Sequence, residues 1–301
     1  MAVEKIEDVL LRYVSNFGRR SSRRGKESVY LYLAQTMEKE FDYPVSIERM
    51  GAGWAKIGLA IVGRLEKAET VLIAPLDTPK KTYKPNYRYY PLNDEKAEKQ
   101  ELAAYTVDML IGILLFAAFG AVCYLFSHSW LAAIAAGWVG WLAYSLSRRN
   151  VCNFTKSSAS LALVTHVAME RARASGRTRM AYVFIDKNSE TRAGVDMFLN
   201  RYREQLAHVR NILYLDCLAN GEELVISSKK QVLPRLSGLE DELKRADAEE
   251  TNLLRSHPEL IFIMTADSEN GDWCVHDLRT VRDKKVDMKR IKRIEEALIN
   301  L

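Results

Sequence analysis

The segment VLIAPLDTP at positions 71–79 is the first place in the chain where we expect chemistry. Its apolar run ends at Pro75 and leads to Asp77, which predicts a buried strand running into a loop, where α/β enzymes place catalytic groups. A histidine at position 75 would complete a metal-binding His-x-Asp strand end, but the proline side chain binds no metal. The segment is therefore a metal site that has lost a ligand or a strand end that never held one.

The other candidate ligands are four cysteines and five histidines. The cysteines lack C-x-x-C spacing, which favours a reducing compartment over a zinc knuckle or a disulfide framework. Cys217 and Cys274 could approach the strand end as thiolate ligands, or they are small buried side chains. His276 falls in a predicted polar turn. We expect His166 in the core or at its boundary and His257 at the surface.

Two uncharged runs of 18 residues, 109–126 and 130–147, are separated only by Ser-His-Ser. Each run is close to the roughly 20 residues that cross a bilayer, so the pair predicts a transmembrane hairpin; a buried hairpin in a soluble core is the alternative. Four glycines would allow close contact between the two helices: Gly112, Gly120, Gly137 and Gly140.

The short turn puts both ends of this hairpin on one side of the membrane. Lys96 and Lys99 precede the first run, and Arg148 and Arg149 follow the second, so the positive-inside bias predicts that these ends are cytoplasmic. The first 20 residues lack the apolar core of a signal peptide, which agrees. We expect an integral membrane protein with two spans and both polar segments in the cytoplasm.

The alternation of predicted strands and helices in the polar segments indicates an α/β fold with a mixed, mostly parallel sheet flanked by helices. We predict strands at 43–50, 54–63, 70–75, 180–186, 210–216, 222–228 and 259–265. We predict helices at 156–174, 193–206, 236–248 and 287–300. The first segment has too few helices to cover its strands, so we expect one discontinuous domain, 1–101 and 148–301, with 102–147 as the hairpin insert.

The basic run GRRSSRRGK at 18–26 has three interpretations: a solvated loop, a nucleic-acid contact or a membrane-surface contact. No interleaved aromatics or nucleic-acid fold accompany it, and an anchored domain lies close to anionic lipid, so lipid contact is the better functional interpretation. The predicted membrane-surface residues are Arg19, Arg20, Arg23, Arg24 and Lys26. No P-loop, G-x-G-x-x-G or G-x-S-x-G motif is present.

Six segments in order resemble the zinc-dependent exopeptidases of the bacterial aminopeptidase type, a family that includes glutamate carboxypeptidase and the non-catalytic ectodomains of transferrin receptor and nicastrin. The likeness covers nearly all of the chain outside the hairpin. The segments are FGRRSSRRGKESVYLYLAQTMEKEF, VLIAPLDTP, CNFTKSSASLALVTHVAME, AYVFIDKNSETRAGVDMFL, NILYLDCLANGEELVI and PELIFIMTADSENGDWCVHDLRTVRDKKVDMKRIKRIEEAL.

The family's chemistry uses two zinc ions that polarise a carbonyl and activate a bridging water, with a carboxylate as general base. By resemblance, Pro75 replaces a histidine ligand, Phe154 the bridging aspartate, Ser189 the general base and Thr280 the aspartate after the final histidine. Asp77 would be the carboxylate that orients the missing histidine. A binuclear site is not expected from this set.

The ligands that the resemblance retains are Glu190, Asp216 and His276, which would suffice for one zinc ion at most. We expect a membrane-anchored, catalytically inactive exopeptidase-like protein that binds or scaffolds within a membrane-associated complex. Its partners would be the lipid bilayer and a protein held by the hairpin or the vestigial cleft, with no nucleic acid. The alternative is a membrane-anchored metallo-hydrolase with an altered mononuclear site.

Overall fold

A computed structural model describes residues 4–51, 56–148, 157–175, 179–188, 191–230, 236–247 and 251–301. Ten strands of this described chain form one mixed sheet: β1 (Val45–Met50), β2 (Ile57–Val62), β3 (Thr70–Pro75), β4 (Arg88–Tyr89), β5 (Met180–Ile185), β6 (Asn211–Leu215), β7 (Glu223–Ser227), β8 (Leu243–Ala246), β9 (Leu260–Glu269) and β10 (Asp272–His276). The helices are α1 (Ile6–Ser15), α2 (Arg23–Ala34), α3 (Asp94–Ser127), α4 (Trp130–Ser147), α5 (Ala159–Ser175), α6 (Ala193–Arg201), α7 (Arg203–Leu206), α8 (Asn252–Ser256) and α9 (Met288–Ile299).

The centre of the sheet is parallel and buried on both faces. Strands run in the order β1-β2-β5-β3-β6-β9-β10-β4, and β7 pairs with β9 and β8. Strand β3 pairs in parallel with β5 and β6, and β6 pairs in parallel with β9. All side chains of β3 and β5 are buried, as their continuous apolar sequences require. The predicted mixed, mostly parallel sheet is confirmed.

The two faces of the sheet support separate apolar cores because successive side chains of a strand point to opposite faces. One core joins Leu72 and Ile263 to helices α1, α2, α5 and α9. The other joins Ile73, Tyr214 and Phe262 to α6, α7 and α8. This alternation determines which candidate site residues can contact one another.

Helices α3 and α4 form the hairpin, and they are long and apolar enough to cross a membrane. Most of their large apolar side chains are exposed, including those of Leu125, Phe126 and Leu131. The four glycines lie at the contact between the helices, against Trp141, Phe116, Phe119 and the backbone of Ala133. The close helix contact predicted from these glycines is present.

Helix α3 begins at Asp94, eight residues before the predicted start of the insert at 102. Asn93 caps it by accepting a hydrogen bond from the Lys96 amide at 3.0 Å. Ion pairs from Lys96 to Asp272 and from Glu101 to Arg279 attach its first turns to the α/β domain. The charged start of the helix therefore belongs to the domain surface rather than to a linker.

The helix predicted at 236–248 is wrong. In the described part, 236–247, turns lead into strand β8, which pairs in parallel with β7. Gly238 has a φ of +85°, which an α-helix does not contain. The charged composition is typical of a helix, but burial of Leu236, Leu239 and Ala246 against the domain determines the structure.

His166 on α5 lies between the chain start and the last helix. It is buried and forms an ion pair with Glu295 on α9, and its Nε2 lies 2.6 Å from the Glu4 carbonyl oxygen. Burial alone would lower the pKa of His166, but the Glu295 carboxylate, the Glu4 carbonyl and the charge of Glu170 together raise it. The imidazolium thus ties three segments together.

We predict that this contact makes stability depend on pH. Since the folded pKa is raised, the stabilisation is complete below the unfolded value of about 6.5 and is lost as pH rises through the folded pKa. The Tm difference between wild type and His166→Gln should therefore be largest in mild acid and shrink towards alkaline pH. His208→Gln, at an exposed histidine, is the control. A difference that stays constant with pH would contradict the assignment.

Candidate functional site

Three aspartates follow three neighbouring parallel strands and so meet at one edge of the sheet. Asp77 comes after β3, Asp186 after β5 and Asp216 after β6, and all three are buried. Carboxyl ends of parallel strands are where α/β folds bind ligands. Buried carboxylates need hydrogen bonds or cations, and the three aspartates have different partners here.

Asp77 holds a loop. Its Oδ1 accepts a hydrogen bond from the Asn188 amide at 2.9 Å, and Asn188 in turn bonds the Ile185 carbonyl and the Val195 amide, at 3.1 and 3.0 Å. The resemblance assigned Asp77 to orient a histidine that this chain lacks. In the structure this carboxylate positions the loop between β5 and α6.

Arg20 is fully buried, so the prediction that it contacts a membrane surface is wrong. Its backbone amide and guanidinium donate hydrogen bonds of 2.6–3.1 Å to Thr78, Leu76, Tyr13, Phe17, Ser157 and Ser158. Burial lowers its pKa to about 10, opposed by the nearby Tyr13 and Asp77, so it stays charged at neutral pH. The physical reason for the error is that this arginine turns inward and satisfies backbone carbonyls.

The other basic residues of the 18–26 run differ in their exposure to solvent. Arg19, Arg23 and Arg24 are exposed, as a surface role requires. Lys26 instead forms a 2.6 Å ion pair with Asp186. Burial and the charge of Asp77 raise the pKa of Asp186, partly offset by Lys26. Lys26, Asp77 and Thr78 line a small cavity of about 260 Å³.

Arg192 supplies a buried positive charge on the other side of this edge. Its Nη1 donates to Thr251 Oγ1 at 3.2 Å, its Nη2 lies 3.6 Å from Asp94 Oδ1, and its guanidinium carbon lies 5.6 Å from the centre of the Phe262 ring. Burial would lower its pKa, but nearby negative and phenolic groups, Asp94 and Asp216 among them, raise it. Arg192 is therefore a permanent cation.

Asp216 is held by protein donors. Its Oδ2 accepts from the Tyr214 hydroxyl at 3.1 Å and its Oδ1 from the Cys217 amide at 2.9 Å. Tyr214 stacks on Phe262, the ring beside Arg192, with centroids 5.1 Å apart. The stacked pair therefore contacts both charged groups: the Tyr214 hydroxyl binds the carboxylate, and the Phe262 ring lies against the Arg192 guanidinium.

His276 does not join Asp216. It lies in β10 and pairs with Arg88, whereas its neighbour Val275 packs in the same core as Tyr214 and Phe262. Because neighbouring side chains point to opposite faces, His276 lies on the face away from Asp216. Its contacts are Glu269, Cys274 and Asp267. The predicted polar turn at this position is a strand.

Four of the predicted positions lie outside the described residues: Phe154, Ser189, Glu190 and Arg149. Pro75 is the last residue of β3. Thr280 closes a turn through its hydroxyl, which bonds the Asp277 carbonyl at 3.0 Å. His257, expected at the surface, is buried and its Nε2 lies 2.9 Å from Asp196 Oδ1, because α8 covers the sheet there.

A cleft of about 990 Å³ lies between the strand edge and the first turns of α3. Its lining carries both charges: Arg192 beside Asp94, and Arg279 paired with Glu101. Tyr105, on the hairpin itself, also lines it. Sequence patterns did not indicate this cleft, because it exists only where the start of α3 docks on the domain.

No model of a known protein family matches the chain, and no curated protein matches its sequence. Solved structures do match. The LapA aminopeptidase of Legionella pneumophila is 10% identical, with a TM-score of 0.57 over 99% of this chain and 69% of that one. This chain has a zinc-exopeptidase-like fold. The resemblance expected from the sequence is confirmed at that level.

Two further structures match along nearly their whole length. A Zn-dependent exopeptidase from Parabacteroides distasonis is 12% identical, with a TM-score of 0.58 over 99% of this chain and 98% of that one. A glutaminyl cyclase from Porphyromonas gingivalis is 14% identical, with a TM-score of 0.58 over 99% and 96%. At such identities the likeness shows the fold alone.

The described residues at the strand edge do not fit the zinc pair of that fold. Pro75 offers no donor atom, Asp77 is engaged by a backbone amide, and His276 faces away from Asp216. The charge of the buried Arg192 guanidinium acts on Asp216 and would repel a divalent cation there. The described residues of this edge therefore do not form a binuclear zinc site.

We predict that removing the Arg192 charge destabilises the protein by about 3–5 kcal/mol, because a buried carboxylate loses its cation. Arg192→Met should lower Tm, and adding Asp216→Asn should restore part of the loss, as a double-mutant cycle would show. Arg201→Met, at an exposed arginine of the same helix, is the control. Additive losses in the double variant would contradict the coupling.

Proposed function

We propose that this protein is a membrane-anchored binding protein with an exopeptidase-like fold that does not hydrolyse peptides. The observation that carries the proposal is the buried Arg192 at the strand edge, whose charge acts on Asp216 and whose guanidinium lies against Phe262, the ring that stacks on Tyr214. A cation fixed by the protein neutralises the carboxylate but cannot polarise a substrate carbonyl as a zinc ion does or deliver a hydroxide. The charge of the carboxylate is therefore balanced, but the site cannot activate water as a zinc site does.

The cleft beside this edge suits a ligand that carries both charges. Both carboxylates and arginines line it, and Arg279 and Glu101 are already paired with each other. A peptide segment or peptide terminus offers both an ammonium or amide donor and a carboxylate or carbonyl acceptor. We propose that a protein partner inserts such a segment, which makes the protein a scaffold in a membrane-associated complex.

Insertion of α3 and α4 in the bilayer is part of the proposal. The exposed apolar side chains of the hairpin form a surface that soluble proteins rarely present to water. Asp108 near the hairpin base is buried and forms a 2.7 Å ion pair with Arg148, which would lower the cost of a charge close to lipid. The positive residues at this base support a cytoplasmic location for the α/β domain by the positive-inside rule.

We predict the topology that labelling in intact cells would show. With Cys123 and Cys152 replaced by serine, Ser129→Cys in the hairpin turn should react with a membrane-impermeant maleimide, since the turn emerges outside. Ser15→Cys, exposed on the domain, should react only after permeabilisation. Labelling of Ser15→Cys in intact cells, or of Ser129→Cys only after permeabilisation, would contradict the proposed orientation.

We predict no zinc-dependent turnover of aminopeptidase substrates and no cyclisation of amino-terminal glutamine peptides by the detergent-purified full chain. The reason is that no activated water forms beside Arg192. The matched control is Asp216→Asn, which should give the same background rate. Turnover that requires added zinc and disappears in Asp216→Asn would overturn the proposal in favour of an altered mononuclear hydrolase.

A further inference from the structure

The hairpin TADSENGDWCVH at 265–276 gathers four metal-binding side chains on one face. Strands β9 and β10 are joined through Asn270 and Gly271, whose φ values of +51° and +83° match the tight turn favoured by Asn-Gly. In this register Asp267 lies opposite Cys274, and Glu269 and His276 follow at steps of two. Steps of two place these side chains on the same face.

The distances from the imidazole nitrogen to the other donor atoms lie close to those of a tetrahedral site. His276 Nε2 lies 3.5 Å from Cys274 Sγ, 3.1 Å from Glu269 Oε1 and 3.7 Å from Asp267 Oδ2. Zinc–ligand bonds of 2.0–2.3 Å at tetrahedral angles separate the ligand atoms by about 3.4–3.6 Å. Among the described residues, the atoms of Glu269, Cys274 and His276 all lie within 4.8 Å of one another.

Hydrogen-bond donors from outside these four side chains orient one oxygen of each carboxylate towards the imidazole of His276. The Glu222 amide binds Asp267 Oδ1 at 2.8 Å, which leaves Oδ2 on the side of His276. Arg88 binds Glu269 Oε2 at 2.7 Å, which leaves Oε1 facing the imidazole. Such outer hydrogen bonds are typical of metal ligands, because they fix the free oxygen in a single direction.

We propose that Glu269, Cys274 and His276 bind one zinc ion and that Asp267, whose Oδ2 lies 3.7 Å from the imidazole nitrogen, moves in as the fourth ligand. Two carboxylate oxygens, one imidazole nitrogen and one thiolate make a donor set that suits Zn²⁺ rather than Ca²⁺ or Mg²⁺. On binding, the Cys274 thiol loses its proton to solvent and forms a zinc–sulfur bond, with no change of oxidation state. All four ligands come from the chain, so the site is closed and structural rather than hydrolytic.

The zinc site stabilises the connection between the sheet and the membrane hairpin. His276 and Val275 pair with β4, which directly precedes α3, and Asp272 of the same hairpin pairs with Lys96 of α3. The site lies on the opposite sheet face from Arg192 and Asp216, so this inference does not rest on the proposed function. Its failure would leave the Arg192 argument unchanged.

Cobalt titration of the full chain in detergent, after chelator dialysis, tests the site directly. One equivalent of Co²⁺ should produce a near-ultraviolet thiolate-to-cobalt charge-transfer band and the visible bands of tetrahedral cobalt, and zinc should abolish both. Cys274→Ser should remove the charge-transfer band. Cys217→Ser, at the other buried cysteine among the described residues, should keep it.

Two milder variants keep the test decisive should Cys274→Ser not fold. Glu269→Gln, at a partly exposed side chain, should weaken zinc binding at least tenfold, and Arg88→Met, which loses the orienting contact, should weaken it about 10–100-fold. Absence of a charge-transfer band, its persistence in Cys274→Ser, or unchanged zinc affinity in both milder variants would overturn the proposal.

Discussion

The buried guanidinium of Arg192 is the interaction on which the strand edge depends. It lies against Phe262, donates to Thr251 and approaches Asp94, and it counters the charge of Asp216. A buried carboxylate costs several kcal/mol unless cations or hydrogen bonds compensate it. Asp216 accepts hydrogen bonds from Tyr214 and the Cys217 amide, and Arg192, the residue before α6, adds a buried cation that lies against Phe262.

This arrangement links the sheet to the membrane hairpin. Asp94 is the first residue of α3, so the charge that balances the strand edge also holds the helix that we propose enters the bilayer. Arg279 and Glu101 repeat the pattern two turns along α3. A partner bound in the cleft would touch both the domain and the hairpin base. Occupancy of the cleft and the position of the hairpin would then be coupled.

The apolar runs predicted the central strands well, because β3, β5 and β6 are buried on both faces and their sequences show it. Arginine burial could not be predicted, since Arg20 and Arg192 look like any surface arginine until the loops around them fold. The helix predicted at 236–248 was wrong because its charged composition is typical of a helix, whereas pairing with strand β7 determines its structure. The β9–β10 hairpin could be predicted from the sequence, because Asn-Gly between segments of alternating apolar and polar residues indicates a turn. The strand after that turn would place Cys274 and His276 on one face.

Native mass spectrometry of the detergent-released full chain, loaded with zinc, tests the central claim most directly. We assign a cation at the strand edge to Arg192 and the only zinc of the described residues to the β9–β10 hairpin. We therefore expect one zinc ion in wild type, one in Asp216→Asn and none in Cys274→Ser. Two zinc ions in wild type, or loss of zinc in Asp216→Asn, would show that the strand edge binds metal and would contradict the account.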